Sequence, residues 1–147
     1  MAYFLDTSAL FKRYVPERGS EAIDSIIAQG GLCCISSMTV LELISNLQRL
    51  HSIDHVLAVE DFRRLLNAFC LDVLDRKLEV VGATPARVSA AFEMLLASYL
   101  TPIDALQIAT ALSLGPEACL VSADKKLNQL ARRQGMQVLD PCELNGK

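Results

Sequence analysis

Tyr3-Phe4-Leu5-Asp6-Thr7-Ser8-Ala9-Leu10 is the stretch whose reading decides the fold. Three apolar residues run straight into a carboxylate and two hydroxyls. That is the pattern of a short buried strand handing over to a helix, because Asp, Thr and Ser side chains can each satisfy the free N–H groups of a first helical turn. Open α/β sheets keep their sites at such strand-to-helix junctions, which makes Asp6 the first candidate functional residue.

Working outward, the same alternation recurs. Ser8 to Tyr14 suits a short helix stopped by Pro16, and Gly19 to Gln29 suits a second, with Ile23, Ile26 and Ile27 at helical spacing and Gly30-Gly31 behind it. Leu32-Cys33-Cys34-Ile35 reads as a strand buried on both faces, and Ser36-Ser37 as the cap of the next helix. Met38 to His51 and Val56 to Leu74 read as the arms of a helical hairpin across a polar interruption at Ser52 to His55. Leu57, Phe62, Leu65, Leu66, Phe69 and Val73 make a wide apolar stripe on the second arm, which suits either core or a groove for a partner. Leu78 to Val81 reads as a strand, Pro85 to Tyr99 as a helix, and Thr101-Pro102-Ile103-Asp104 as the capped start of a helix reaching Leu114. Cys119 to Ser122, Lys125 to Arg133 and Gln137 to Leu139 complete the series as strand, helix and strand. This alternation predicts an α/β protein, a three-layer α/β/α sandwich around a mostly parallel sheet of about four or five strands.

The totals bound the rest. At 147 residues the chain has the size of one domain, so residues 1–147 are expected to form a single unit. Hydrophobic residues make up 52% and charged residues 21%, which argues against disorder, and no apolar run reaches the roughly 20 residues of a membrane span. The N-terminus lacks a basic segment ahead of its apolar one, so a cytoplasmic protein is expected. Five cysteines without a CxxC pair suit reduced core residues better than a disulfide framework or zinc. His51 and His55 lack a third ligand nearby and are expected in a solvated turn. A net charge of -3 with a pI near 5.3 gives no broad basic footprint, so any nucleic-acid contact must be local or run through a cation.

Four of the 17 acidic residues stand in apolar or cap-rich surroundings near these junctions: Asp6, Glu42, Asp104 and Asp124. Each aspartate alone can be read as a helix cap or capping-box member. Glu42 is harder to read that way, because it lies between Leu41 and Leu43 with Ser45 and Asn46, not a base, one turn on. In a right-handed parallel sheet the junctions share one edge, so the four can meet. Four carboxylates in one pocket repel one another unless a cation neutralises them. Oxygen-only ligands suit Mg²⁺ or Mn²⁺, and a site of that kind fits phosphodiester hydrolysis. Thr7, Ser8 and Ser122 carry hydroxyls able to bond the carboxylates or bound waters, though each serves equally as a cap. Lys12, Arg13, Lys125 and Lys126 lie near the acids in sequence and are candidates to meet substrate phosphates.

Leu5-Asp6-Thr7-Ser8-Ala9-Leu10, the isolated Glu42, Asp104-Ala105-Leu106-Gln107-Ile108-Ala109-Thr110-Ala111, and Val121-Ser122-Ala123-Asp124-Lys125-Lys126-Leu127 together resemble a PIN domain, and more narrowly the VapC-type toxins. The resemblance implies a Mg²⁺- or Mn²⁺-dependent endoribonuclease of a type II toxin-antitoxin pair, with Asp6, Glu42, Asp104 and Asp124 as catalytic metal ligands. It also implies an RNA substrate, a homodimer, and an antitoxin for which the hairpin from Met38 to Leu74 is a candidate contact. Gln107 stands where similar proteins often carry histidine. Other readings are a PIN nuclease in RNA processing outside toxin-antitoxin systems, a catalytically silent PIN-fold binding module, and a small-molecule phosphatase. Ser8 counts against the last, since it occupies the place of that class's second aspartate.

Overall fold

Apolar runs bounded by turn residues become the strands of one sheet, and the amphipathic stretches between them become its covering helices. The computed structural model describes residues 1–144. The strands are β1 (Ala2–Leu5), β2 (Leu32–Ser36), β3 (Glu79–Val81), β4 (Ala118–Val121) and β5 (Gln137–Leu139). The helices are α1 (Thr7–Tyr14), α2 (Ser20–Ala28), α3 (Ser37–Ser52), α4 (Val59–Leu74), α5 (Pro85–Ala97), α6 (Pro102–Leu112) and α7 (Lys125–Arg133). The sheet runs β3-β2-β1-β4-β5, every neighbouring pair parallel. The chain therefore winds outward from β1 in one direction and then returns to β4 on the other side. That reversal between β1 and β4 is where open parallel sheets leave a crevice at the carboxyl ends of their strands.

Strand alternation builds two cores. Leu5, Ile35 and Val121 point to the side packed by α1 to α4, where Leu10, Ile23, Leu43, Leu47 and Phe69 fill the space. Phe4, Cys34 and Leu120 point to the other side, against Ile108, Leu127 and Ala131 of α6 and α7. Each fully buried leucine or isoleucine here contributes about 1.5–3 kcal/mol by leaving water. Together the two cores make the expected α/β/α sandwich, with five strands among the described residues.

The expected single unit spans 1–147, and residues 145–147 lie outside the described residues. Several element limits shift for local reasons. The amides of Val56 and Leu57 bond Leu50 O, wrapping the end of α3, so α4 starts at Val59. Ser98 is extended and caps α5 by bonding Met94 O, which ends that helix before Tyr99. Gly115 at φ 108° turns the chain after α6, which stops at Leu112. Leu78 bonds Asp72 O at the end of α4 instead of opening β3.

The apolar stripe on α4 resolves as core: Leu65 and Phe69 are buried, and Leu57, Phe62, Leu66 and Val73 pack against them. His51 corrects the expectation of a solvated turn, because its ring stacks on Phe62 at 5.3 Å and its Nδ1 bonds Leu57 O at 2.8 Å. Three cysteines, Cys33, Cys34 and Cys119, are buried as expected, whereas Cys70 is exposed and Cys142 half-buried; all five are free.

Candidate active site

Asp6 is placed by the strand that precedes it and the helix that follows. Its amide continues the β1–β4 ladder by bonding Val121 O at 3.1 Å, and its Oδ1 caps α1 by accepting the Ala9 amide at 2.9 Å. Ser8 Oγ donates to Asp6 Oδ1 at 2.8 Å, and Ser122 Oγ donates to Oδ2, also at 2.8 Å. The same two hydroxyls accept the amides of Ala123 and Asp124, at 2.9 and 3.0 Å. Ser8 and Ser122 thus stitch the turn after β1 to the turn after β4. Asp124 then caps α7, accepting from the Lys126 and Leu127 amides.

The other two acids arrive on helices. Ser36 caps α3 through the Thr39 amide, and Glu42 sits one turn further in, where Thr7 Oγ1 donates to its Oε2. That hydroxyl, not a base, is the partner an isolated glutamate needs. Thr101 caps α6 through the Asp104 amide at 3.2 Å, setting Asp104 in the first turn. All four acids line one cavity of about 410 Å³. Its wall also includes Thr7, Ser8, Lys12, Glu17, Asn46 and Gln107.

The charges in this cavity are uneasy. Asp6 is only 5% exposed, and burial, with the like charge of Asp124 adding to it, pushes its pKa up to about 6 against the opposing hydrogen bonds from Ala9, Ser122 and Ser8. Ionised at neutral pH, this buried carboxylate is under-compensated, and a neighbouring cation is what would offset its charge. A second imbalance is Gln107, whose buried Oε1 has no partner although its Nε2 donates to Thr39 Oγ1 at 2.8 Å. A hydrated cation brings donors, in the form of its waters, to a wall that is otherwise rich in acceptors. Four carboxylates that offer only oxygen, one of them under-compensated, beside an orphan acceptor fit a hard divalent ion that keeps part of its water shell. Among the described residues no three Asp, Glu, His or Cys side chains are drawn together closely enough to clasp an ion directly. The lined cavity and the absence of a tight trio are compatible, since mutually repelling carboxylates spread apart and water can bridge the remaining gap.

The basic residues separate. Lys12 lines the cavity; burial pulls its pKa down, but the hydrogen bond and charge of Glu17, at 2.9 Å, with Cys142 adding to them, hold it above the ordinary lysine value. Arg13 corrects the expectation of a phosphate contact: it does not line the cavity, and its guanidinium bonds Asp72 at 3.2 and 3.3 Å and Asp24 at 2.7 Å. Lys125 and Lys126 begin α7 beside Asp124, exposed and outside the wall. Glu17 and Asn46 are wall residues that the sequence did not single out. Glu17 lies in a Pro-Glu-Arg-Gly turn that reads as solvent, and Asn46 carried only the signal of standing one turn after Glu42.

A doubly wound parallel sheet whose switch point opens onto an acidic cavity defines the class. Within it, the chain belongs to the PIN domain family, whose profile matches residues 3–133. No curated protein matches the chain at a significant level. Solved structures do. A chain of FitAcB from Neisseria gonorrhoeae is similar at a TM-score of 0.70 and 16% identity, covering 97% of this chain and 99% of that one. A chain of VapBC2 from Rickettsia felis, bound to a DNA fragment from its promoter, gives a TM-score of 0.67 at 17% identity, covering 95% and 98%. A toxin-antitoxin complex from Klebsiella pneumoniae gives 0.66 at 17% identity, covering 95% and 97%. At these identities the likeness is one of fold.

Proposed function

We propose that this chain is a Mg²⁺- or Mn²⁺-dependent endoribonuclease that hydrolyses RNA phosphodiester bonds and serves as the toxin of a type II toxin-antitoxin pair. The observation that carries the reading is that Asp6, Glu42, Asp104 and Asp124, from four separate segments, open onto one cavity at the switch point of a PIN fold. Asp6, Glu42, Asp104 and Asp124 would hold a divalent cation, which would supply Lewis-acid chemistry there. The residues supply the rest. Asp6 is the fixed carboxylate, its two oxygens held by Ser8, Ser122 and the Ala9 amide. Thr7 orients Glu42, so Ser8, Ser122 and Thr7 act by aiming carboxylates. Asp104 and Asp124 face them from α6 and α7.

Lys12, on the wall and paired with Glu17, and Lys125, in the first turn of α7, would meet substrate phosphates. Arg13 has no part in this, being committed to Asp72 and Asp24. The structural neighbours include toxin-antitoxin complexes, which supports an antitoxin partner. Its seat against the α3–α4 hairpin, a homodimer and a cytoplasmic setting are part of the proposal. No helix among the described residues is long and apolar enough to cross a membrane.

The test is cleavage of structured and single-stranded RNA by purified protein with Mg²⁺, Mn²⁺ or chelator, beside Asp6→Asn prepared identically. Metal-dependent cutting that vanishes in Asp6→Asn is expected. Full activity in that variant overturns the site, and a chain that neither cuts RNA nor arrests growth on expression is a silent PIN fold.

A further inference from the structure

The residues of α7 are sorted by face. The helix reads Lys-Lys-Leu-Asn-Gln-Leu-Ala-Arg-Arg, with Leu127, Asn128 and Ala131 buried. At about 100° per residue, Lys125, Lys126, Gln129, Arg132 and Arg133 fall within one sector about 120° wide. All five are exposed. In a chain with 17 acids and a net charge of -3, this face holds four cations and no acid. None of the four makes an ion pair among the described residues. Helix stability accounts for only half of them: Arg132 and Arg133 suit the last turn, but Lys125 and Lys126 occupy the first, where the helix dipole disfavours positive charge. The helix starts at the cavity, since its cap Asp124 and its buried Leu127 both line that wall. From Lys125 to Arg132 it rises about 10 Å, long enough to meet more than one phosphate.

We infer that the outward face of α7 is a track for the phosphate backbone of a single RNA strand whose scissile bond lies in the acidic cavity. The strand's identity as RNA rests on the ribonuclease reading. Charge complementarity carries the rest: an otherwise acidic surface needs a local cationic strip to hold a polyanion, and this strip begins where the acids end. Gln129, in the middle of the sector, adds a neutral hydrogen-bonding side chain able to serve a phosphate or a sugar.

The probe is fluorescence anisotropy of labelled single-stranded RNA of about twelve nucleotides against one of about four, between roughly 0.05 and 0.2 M salt with chelator present. The proteins are wild type and the double variant Arg132→Gln/Arg133→Gln, whose folding is checked by its melting curve. The variant is expected to bind the long strand about tenfold more weakly, with a salt slope shallower by about 1.4, and to bind the short strand as wild type does. Unchanged affinity and slope for the long strand overturn the track, as does a wild type that does not bind it. Loss of affinity for polyglutamate but not for RNA assigns the face to an acidic protein segment and overturns it equally. If the long strand binds through Arg132 and Arg133 yet is never cut with metal present, the track stands and the nuclease reading fails. If it is cut and the variant binds like wild type, the reverse holds.

Discussion

Asp6 illustrates what one residue can and cannot announce. Its place after Phe4-Leu5 and before Thr7-Ser8 made it legible as a junction residue, and Asp104 and Asp124 were legible in the same way. Glu42 stood out as a charge among leucines, and Gln107 only as a departure from the histidine that similar proteins often carry. The hydrogen bonds that set their roles were not legible, because Thr7–Glu42, Ser122–Asp6 and Gln107–Thr39 join residues far apart in sequence. Asp6 also carries a stability signature. Its folded pKa, about 6, lies above the ordinary 3.8, so its contribution favours folding in acid, is complete below about pH 4, and is lost as pH rises through 6. A shift of that size corresponds to roughly 2–3 kcal/mol. Asp6→Asn removes the buried charge but cannot accept the Ser122 hydroxyl in the same way. The metal-free variant is therefore expected to exceed wild type by about 1–2 kcal/mol at pH 7, with the gain fading towards pH 4. Urea unfolding with chelator at both pH values measures this. A variant less stable than wild type at pH 7 contradicts it.

At the scale of elements, caps were the readable part: Asp6, Ser36, Thr101 and Asp124 each accept the amide three residues on, as their positions in the sequence imply. What joins one helix to another was not readable. Arg13 and Tyr14 end α1 and both bond Asp72 of α4, Arg13 through its guanidinium and Tyr14 through its hydroxyl at 2.9 Å. A basic residue seven positions past Asp6 looks like a site residue in sequence; the helix turn aims it at α4 instead. Burial opposes the ionised form of Asp72, but the hydrogen bonds from Arg13 and Tyr14, with the charges of Arg13 and Lys77, hold its pKa below the ordinary value. Its contribution is thus present above the ordinary carboxylate pKa and lost as pH falls through the lowered one. Asp72→Asn is expected to cost about 2–3 kcal/mol at pH 7, less than a fully buried pair because Arg13 keeps Asp24. Its urea midpoint should also fall less than that of wild type between pH 4 and pH 2. Equal acid sensitivity in both would show that Asp72 does not brace the two helices through its charge.

At the scale of the whole molecule, the alternation of strand and helix was enough for a parallel sheet between helical layers. It was silent on strand order, since nothing local says that β4 returns beside β1 instead of continuing past β3. That order is what matters most here, because it sets the β1 and β4 turns side by side and opens a crevice between them. α3 and α6 then bring Glu42 and Asp104 in from opposite faces of the sheet. The central claim is that these four acids, so gathered, hold a divalent cation. Titration of Mn²⁺ into metal-free protein, followed by calorimetry, tests it on wild type, Asp6→Asn and Asp104→Asn. Saturable binding by wild type is predicted, weakened about tenfold or more in each variant and accompanied by a metal-dependent rise in melting temperature that the variants lack. Indistinguishable binding by all three proteins, or none by any, would contradict it.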